Sequence, residues 1–381
     1  MKFACETALV ARACADLSRI AGKSSGTSIL QNILIDARES AVVFTATNLE
    51  TTLRATVSAD ITAPGRTTVD SEVIAKYFAA ATADVSNFES DDTGQLEIRS
   101  GRSKFRANTL PAADFPSLPA GHAPATFTVD ARAFAACLAG TAFAASTNEA
   151  RGPALGGLRL KVADDGQVAI AATDGYVLAL HPVAIAGGAP QPGEYVIPAY
   201  ACTEISRLLT KLDKGTKVEL AFAVRPEDGT ANTLAVTSSE RTLVVRLVNQ
   251  QYPNVDRVIP LTYERSAVVP TADFVAALKR SSLAESKSTT PRVTLTLGAA
   301  SLNLSSQSDL IGAAEEDVDA VVIGDEMSIC FNATYLTDVV SRVTTKEMRL
   351  EFLGPLSPAV IRAVDDREAR DDLFVVMPMR T

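Results

Sequence analysis

Two histidines, His122 and His181, and five cysteines, Cys5, Cys14, Cys137, Cys202 and Cys330, are the side chains best suited to act as nucleophiles, bases or metal ligands. Both histidines stand beside Gly or Pro in apparent loops. Neither lies near a cysteine pair or an HExxH run, so no metal is expected. The cysteines form no CxxC pair, are odd in number and sit mostly among apolar neighbours, the pattern of reduced core residues. Phosphoryl transfer would need a glycine-rich phosphate loop of the form GxxxxGK followed by Ser or Thr, which does not occur, and acyl transfer would need a nucleophile with a usable His constellation, which is not visible. One carboxylate remains, Asp174 in Ala-Thr-Asp-Gly. It lacks a recognisable partner, and its plainer reading is a turn that reverses a hairpin. No catalytic residue and no cofactor are expected, and the protein is read as not an enzyme.

Positive charge, by contrast, is spaced regularly. Arg12, Arg19 and Lys23 recur opposite an apolar stripe of Leu9, Val10, Ala13, Leu17 and Ile20. Arg207, Lys211 and Lys214 stand similarly to Ile205, Leu208 and Leu212, and Arg342 with Lys346 to Leu336, Val339 and Val343. One such stripe is an ordinary solvated face. Three of them, on what read as equivalent helices and without interleaved aromatics, suggest contact with phosphates rather than with bases. The chain has 45 acidic and 36 basic residues, a net charge of -9, which argues against gripping nucleic acid by bulk attraction. Any DNA contact must be local or topological.

The elements that carry these residues repeat. FACETALVARACADLSRI (Phe3–Ile20), FTVDARAFAACLAGTAFA (Phe127–Ala144) and AVVPTADFVAALKRSSLA (Ala267–Ala284) each run from a short strand into an apolar-periodic helix, roughly 130 residues apart. Alternating segments follow from Ile29, Leu155 and Pro291, with turn residues such as Asp164-Asp165-Gly166, and predict hairpins. A second helix is predicted from Asp70, Pro198 and Asn332, and more strands close each unit. The fold class is therefore α+β, with three repeated domains of two helices packed on antiparallel sheets. Pro-containing polar stretches near Ala120–Ala125 and Leu261–Ser266 set the boundaries, giving domains 1–124, 125–263 and 264–381. The acidic run from Gly312 to Ala320 reads as a loop.

At 381 residues the chain suits two or three domains, and 47% apolar with 21% charged residues is globular. No apolar run reaches the roughly 18 residues of a membrane span, and Met1-Lys2-Phe3-Ala4-Cys5-Glu6 lacks a signal-peptide pattern. A cytoplasmic protein is expected.

Four segments together resemble the bacterial beta sliding clamp family, and the resemblance runs the length of the chain. They are IRSGRSKFRANTLPAADFPSLP (Ile98–Pro119), AATDGYVLAL (Ala171–Leu180), QYPNVDRVIP (Gln251–Pro260) and VVMPMR (Val375–Arg380). The resemblance implies a head-to-tail homodimer closing a ring of six domains, helices lining the hole and sheets outside. It further implies sequence-independent, topological binding of duplex DNA. Polymerase subunits, a clamp loader and repair proteins would bind through short linear peptides, with no membrane involved.

Carried over residue by residue, the family's peptide pocket between the second and third domains falls on Leu155, Thr173, Gly175, Tyr176, Val177, Leu178, Pro253, Arg257, Val258, Asn332, Tyr335, Leu356, Pro358 and Val375, Val376, Met377, Pro378, Met379 and Arg380. Aliphatic and Met side chains suit an adaptable groove, with Arg257 and Arg380 for polar groups. The dimer contact falls on Phe105 and Ala107 in one domain and on Ser282 and Leu283 in another. Tyr176 and Val177 depart from the family, where His and Arg are frequent, so a positive pocket residue is missing. Thr381 also replaces a frequent aliphatic end. The Tyr176-Val177 change is the feature favouring the alternative, a clamp-like paralogue or scaffold with altered partner specificity.

Overall fold

The computed structural model describes residues 1–22, 28–90, 94–116, 125–224, 231–285, 290–365 and 368–380. His122, Lys23 and Thr381 lie outside the described residues, as does most of the first boundary stretch. Among the described residues each repeat holds nine strands and two helices in one order. The first is β1 (Lys2–Glu6), α1 (Thr7–Ile20), β2 (Asn32–Arg38), β3 (Ala41–Thr47), β4 (Thr51–Ser58), β5 (Asp60–Ala63), β6 (Gly65–Asp70), α2 (Ser71–Ala80), β7 (Val85–Ser90), β8 (Gln95–Ser100) and β9 (Ser103–Asn108). The second is β10 (Ala125–Asp130), α3 (Ala131–Ala142), β11 (Gly157–Val162), β12 (Val168–Thr173), β13 (Val177–Pro182), β14 (Ile185–Gly188), β15 (Gly193–Pro198), α4 (Ala199–Leu209), β16 (Lys217–Val224), β17 (Ala231–Thr237) and β18 (Arg241–Arg246). The third is β19 (Arg265–Pro270), α5 (Thr271–Ser281), β20 (Arg292–Leu297), β21 (Ser301–Ser308), β22 (Gly312–Asp319), β23 (Val321–Ile323), β24 (Met327–Asn332), α6 (Ala333–Val340), β25 (Glu347–Phe352), β26 (Ala359–Asp365) and β27 (Glu368–Val376).

Local sequence explains these elements. In β1 alternate residues Phe3 and Cys5 are buried while Lys2 and Glu6 face solvent. On α1 the three- and four-residue spacing buries Val10, Ala13, Cys14, Leu17 and Ile20. Asp70 starts α2 by accepting hydrogen bonds from the backbone N–H groups of Glu72 and Val73 at 3.0 and 2.8 Å, and Asn332 caps α6 in the same way.

Among the described residues all strand pairs are antiparallel, and the strands form four sheets. A five-stranded sheet runs β5-β1-β7-β8-β9 and a four-stranded one β22-β21-β20-β24. Two nine-stranded sheets run β14-β10-β16-β17-β18-β4-β3-β2-β6 and β15-β11-β12-β13-β27-β26-β25-β19-β23. The chain forms two compact units, and the middle repeat divides between them. One unit comprises Met1–Arg132, Ile185–Pro190 and Arg207–Leu247. In it α1 packs on α2, β3 and β4, and Phe3, Phe78 and Phe88 stack in the core. The other comprises Ala133–Ala184, Gln191–Ser206 and Val248–Thr381. Here α5 packs on α6, β21 and β22, with Phe274, Phe331, Phe352 and Phe374 buried. The expected α+β repeat of two helices on antiparallel sheets is what the chain forms.

Three expectations are corrected. The acidic run from Gly312 is the edge strand β22, because its alternation buries Val318 and turns Glu316 to Arg280 of α5, which donates twice to it at 2.9 and 2.6 Å. Two predicted helices end early: Lys211 and Lys214 lie beyond α4, and Arg342 and Lys346 beyond α6, where β-branched Val343, Thr344 and Thr345 favour extended chain. Finally, α1 is the first helix of its repeat whereas α4 and α6 are second helices, so the three basic stripes are not on equivalent elements.

Candidate functional site

The antiparallel pair β13 and β27 forms the floor of the candidate groove. Its register sets Leu178 against Val375, Leu180 against Leu373 and Val177 against Val376. Strand alternation separates two faces. On one, Leu178 and Val375 are buried with Ala171, Tyr252, Val255 and Val360, while Leu155 and Ile259 pack half-buried against them. On the other, Phe374 meets Phe143 at 6.0 Å and His181 at 5.4 Å. Val177 and Val376 share this second face, 5% and 0% exposed, so neither presents its side chain to the groove floor.

Two tethers hold the segment that follows β18 on this floor. The Tyr252 hydroxyl accepts the Thr173 N–H at 3.0 Å and donates to the Gly157 carbonyl at 3.5 Å, and burial pushes the phenol up to about 12. Asp256 accepts from Arg159 at 3.0 Å and Lys161 at 2.8 Å, and these cations, Arg159 foremost, hold its carboxyl below the usual range. Pro253 between the tethers, and Arg257 and Val258 just beyond the second, stay exposed at the rim.

At one end of the groove the chain reverses between β12 and β13. Thr173 Oγ1 donates to the Val177 carbonyl at 2.6 Å, and Asp174 Oδ1 accepts the N–H groups of Tyr176 and Val177 at 2.8 and 2.9 Å. Gly175 supplies the φ of +90° that the turn needs. The Asp174 carboxylate is thus spent on folding the turn, which settles its plainer reading. The turn presents Tyr176, 46% exposed, stacked on Tyr335 of α6 at 5.4 Å and 15°. Arg151 lies over the Tyr176 ring with its guanidinium carbon 4.7 Å from the centroid.

The C-terminal segment completes the wall. Met377 N–H donates to the Tyr176 carbonyl at 2.9 Å, Met379 N–H donates to the Cys330 carbonyl at 2.8 Å, and Pro378 bridges to Phe331. Met377, Pro378 and Met379 are half-buried and Arg380 exposed. The turn between β25 and β26 adds half-buried Pro358 and Leu356, 72% exposed, because Ala359 pairs with Val376. Asn332 sits behind the wall as the cap of α6. Residues expected from three distant segments are thereby brought together, while Val177 and Val376 turn away. Arg151 and Tyr252 carry parts of the site that the sequence reading missed. Tyr252 lies within the segment Gln251–Pro260, but Arg151 ends a three-residue 3-10 turn, Glu149–Arg151, too short to show periodicity.

The expected phosphate-facing residues divide. Arg12 and Arg19 are exposed on α1, and Lys214, Arg342 and Lys346 are exposed in the segments after their helices. Arg342 rests 5.0 Å over the Phe143 ring. Arg207 and Lys211 are instead turned to Asp16 of α1 at 3.0 and 2.6 Å, with Arg241 at 3.8 Å. Of the expected dimer residues, Phe105 is half-buried on the edge strand β9 and stacks on Tyr77 at 5.0 Å, while Ala107 is buried. Ser282 is half-buried and Leu283 exposed just after α5. All five cysteines are free thiols, four of them buried.

Comparison with known proteins agrees with this architecture. Family models of the DNA polymerase III beta subunit match in order, the N-terminal domain over residues 1–119, the central domain over 128–254 and the C-terminal domain over 256–380. A beta sliding clamp of Streptomyces coelicolor is 27% identical over 384 residues, which span 100% of this chain and 99% of that one. Another from Caulobacter vibrioides is 28% identical over 389 residues and 100% of both chains. Among solved structures, the DNA polymerase III subunit beta of Pseudomonas aeruginosa shares the fold with a TM-score of 0.90 at 24% identity, over 100% of each chain. The DNA polymerase sliding clamp of Caulobacter crescentus gives 0.87 at 25% identity, again over 100% of each. With all three domain models matched in order along nearly its whole length, the chain belongs to the DNA polymerase III beta-subunit family, the sliding clamps.

Proposed function

We propose that two copies of this chain close a ring around duplex DNA in the cytoplasm and tether polymerases to it, acting as a processivity factor without catalysis of its own. Domains 1–124, 125–263 and 264–381 would be its units. The observation that carries the reading is the strand order. In one nine-stranded sheet β4-β3-β2-β6 of the first repeat joins five strands of the second through β4 and β18. In the other, β13-β12-β11-β15 of the second repeat joins five strands of the third through β13 and β27. Left over are five strands of the first repeat ending at β9 and four of the third ending at β22, the counterparts of those joining strands. Pairing β9 of one copy with β22 of another makes the missing nine-stranded sheet and covers two edges that would otherwise invite aggregation.

Charge supports the same pairing. On β9 Lys104 and Arg106, with Arg99 of β8, surround Glu97, and these cations, Lys104 first, hold its carboxyl down to about 2. On β22 Glu315, Asp317 and Asp319 are exposed along one face. Partners would enter the groove floored by Leu155, Leu178 and Val375 as short linear peptides. In sedimentation the wild type is expected at twice its 40.1 kDa chain mass. Lys104→Glu with Arg106→Glu should give monomers, and mixing that variant with Glu315→Lys plus Asp317→Lys should restore dimers. A wild type that stays monomeric at micromolar concentration overturns the ring.

A further inference from the structure

A single carboxylate stands in the middle of the basic patch on the first unit. Asp16 lies one turn after Arg12 and one turn before Arg19 on α1, and both arginines are exposed while its own side chain is 7% exposed. Arg207 Nη1 and Lys211 Nζ come within 3.0 and 2.6 Å of its Oδ1, and Arg241 Nε within 3.8 Å of its Oδ2. These three cations differ in freedom. The side chains of Arg207 and Arg241 are 21% and 16% exposed, whereas that of Lys211 is 55% exposed and belongs to the segment beyond α4. A buried carboxylate must keep counter-charge, and the two half-buried guanidiniums supply it without the lysine. Lys211 is therefore the member of the cluster that can leave. Lys214, three residues on and exposed, has no ion pair among the described residues.

We infer that Asp16 limits the grip on DNA by competing with backbone phosphates for Lys211. The inference rests on the proposed ring, in which this patch meets a duplex. A phosphate gains Lys211 only by breaking its pair with Asp16, so the contact yields less than an unpaired lysine such as Lys214 would give. When the phosphate moves on, the lysine returns to a carboxylate already in reach rather than waiting for the next phosphate. The patch thus keeps its cations close to DNA while holding each phosphate weakly, and the strength of that hold is set by one acidic residue. Without the carboxylate Lys211 would neutralise phosphate as a free cation, and binding would become both tighter and more dependent on salt.

The test is a double-mutant cycle on the full chain, read as the anisotropy of a labelled linear duplex over a salt series, at a temperature below the unfolding transition of every variant. Asp16→Asn should tighten binding about fivefold and steepen the logarithmic salt dependence by about 1, the share of one added phosphate contact. Lys211→Gln should cost about fivefold in the Asp16→Asn chain but less than about twofold beside an intact Asp16. A purely structural Asp16 would leave these two losses equal, and that result, or an Asp16→Asn chain that binds no tighter, overturns the inference. Should Asp16→Asn fail to fold, the single variants still decide. Lys214→Gln should then cost about threefold, and a loss from Lys211→Gln as large as this would show that Asp16 withholds nothing. If Lys214→Gln and Arg12→Gln both leave the affinity unchanged, the duplex does not meet this face, and the ring reading of it fails together with the inference.

Discussion

His181 shows how one side chain ties helix, strand and sheet together. Its ring meets Phe374 edge-on at 5.4 Å, its Nδ1 is 3.8 Å from Asp372, and a Cβ at Gly140 of α3 would lie only 2.9 Å from its Nε2. Burial lowers the imidazole's pKa, and Asp372 offsets part of that. The sign follows from linkage: an unfolded histidine takes its proton near pH 6.5, whereas the folded one resists until a lower pH. Stability from this residue is therefore complete above about pH 6.5 and is lost as the pH falls towards the lowered folded value. Urea midpoints measured from pH 8 down to pH 5 should decline less steeply in His181→Gln than in the wild type, and equal slopes would remove His181 as the cause. Single residues of this kind were partly legible in the sequence. The turn at Asp174 was, because Asp-Gly chemistry is local, whereas the contact of Arg151 with Tyr176 depends on a fold that joins an irregular loop to a hairpin.

Between elements, the buried carboxylate of Asp16 is the clearest link. Its side chain is 7% exposed on α1, and Arg207 of α4, Lys211 just beyond α4 and Arg241 of β18 all turn to it. Two cations that the sequence assigns to phosphate contact thus join the first repeat to the second. Asp16→Asn would leave half-buried Arg207 and Arg241 without their counter-charge, at an expected cost of about 2–4 kcal/mol, reduced from the cost of breaking a fully buried pair because Lys211 is more than half exposed. Chemical denaturation should show the first unfolding transition moved to lower urea, while an unchanged transition would return Arg207 and Lys211 to the phosphate-facing set. Periodicity made the first helices legible, since α1 buries the residues that its spacing selects. It failed at the ends of α4 and α6, where amphipathic spacing continues past the last helical residue into loop. Edge strand β22 was misread because Glu and Asp are poor strand formers, although alternate burial at Val318 was present in the pattern.

For the whole molecule, the three repeats were legible because each begins with the same strand and helix, but the join between repeats was not. Neither β4 against β18 nor β13 against β27 has a sequence signal, since the paired strands lie far apart in the chain and only the fold sets their register. The groove was legible through family resemblance alone for the same reason. That architecture bears on how an acidic protein holds an acidic polymer. A net charge of -9 disfavours tight direct binding, and the exposed cations Arg12, Arg19, Lys214, Arg342 and Lys346 are too few to hold a duplex against salt. If a closed ring holds the DNA, dissociation requires the ring to open or the DNA to end. After loading, protein on a nicked circular duplex should therefore persist much longer than protein on the linearised form, and raising salt should shorten the linear lifetime far more than the circular one. Reversing Arg12 and Arg342 to Glu should weaken the residual affinity for linear DNA several-fold while sparing retention on circles once loaded. Equal lifetimes on circular and linear DNA would mean that contact, not topology, holds the complex, and with that the proposed pairing of β9 with β22 would lose its purpose.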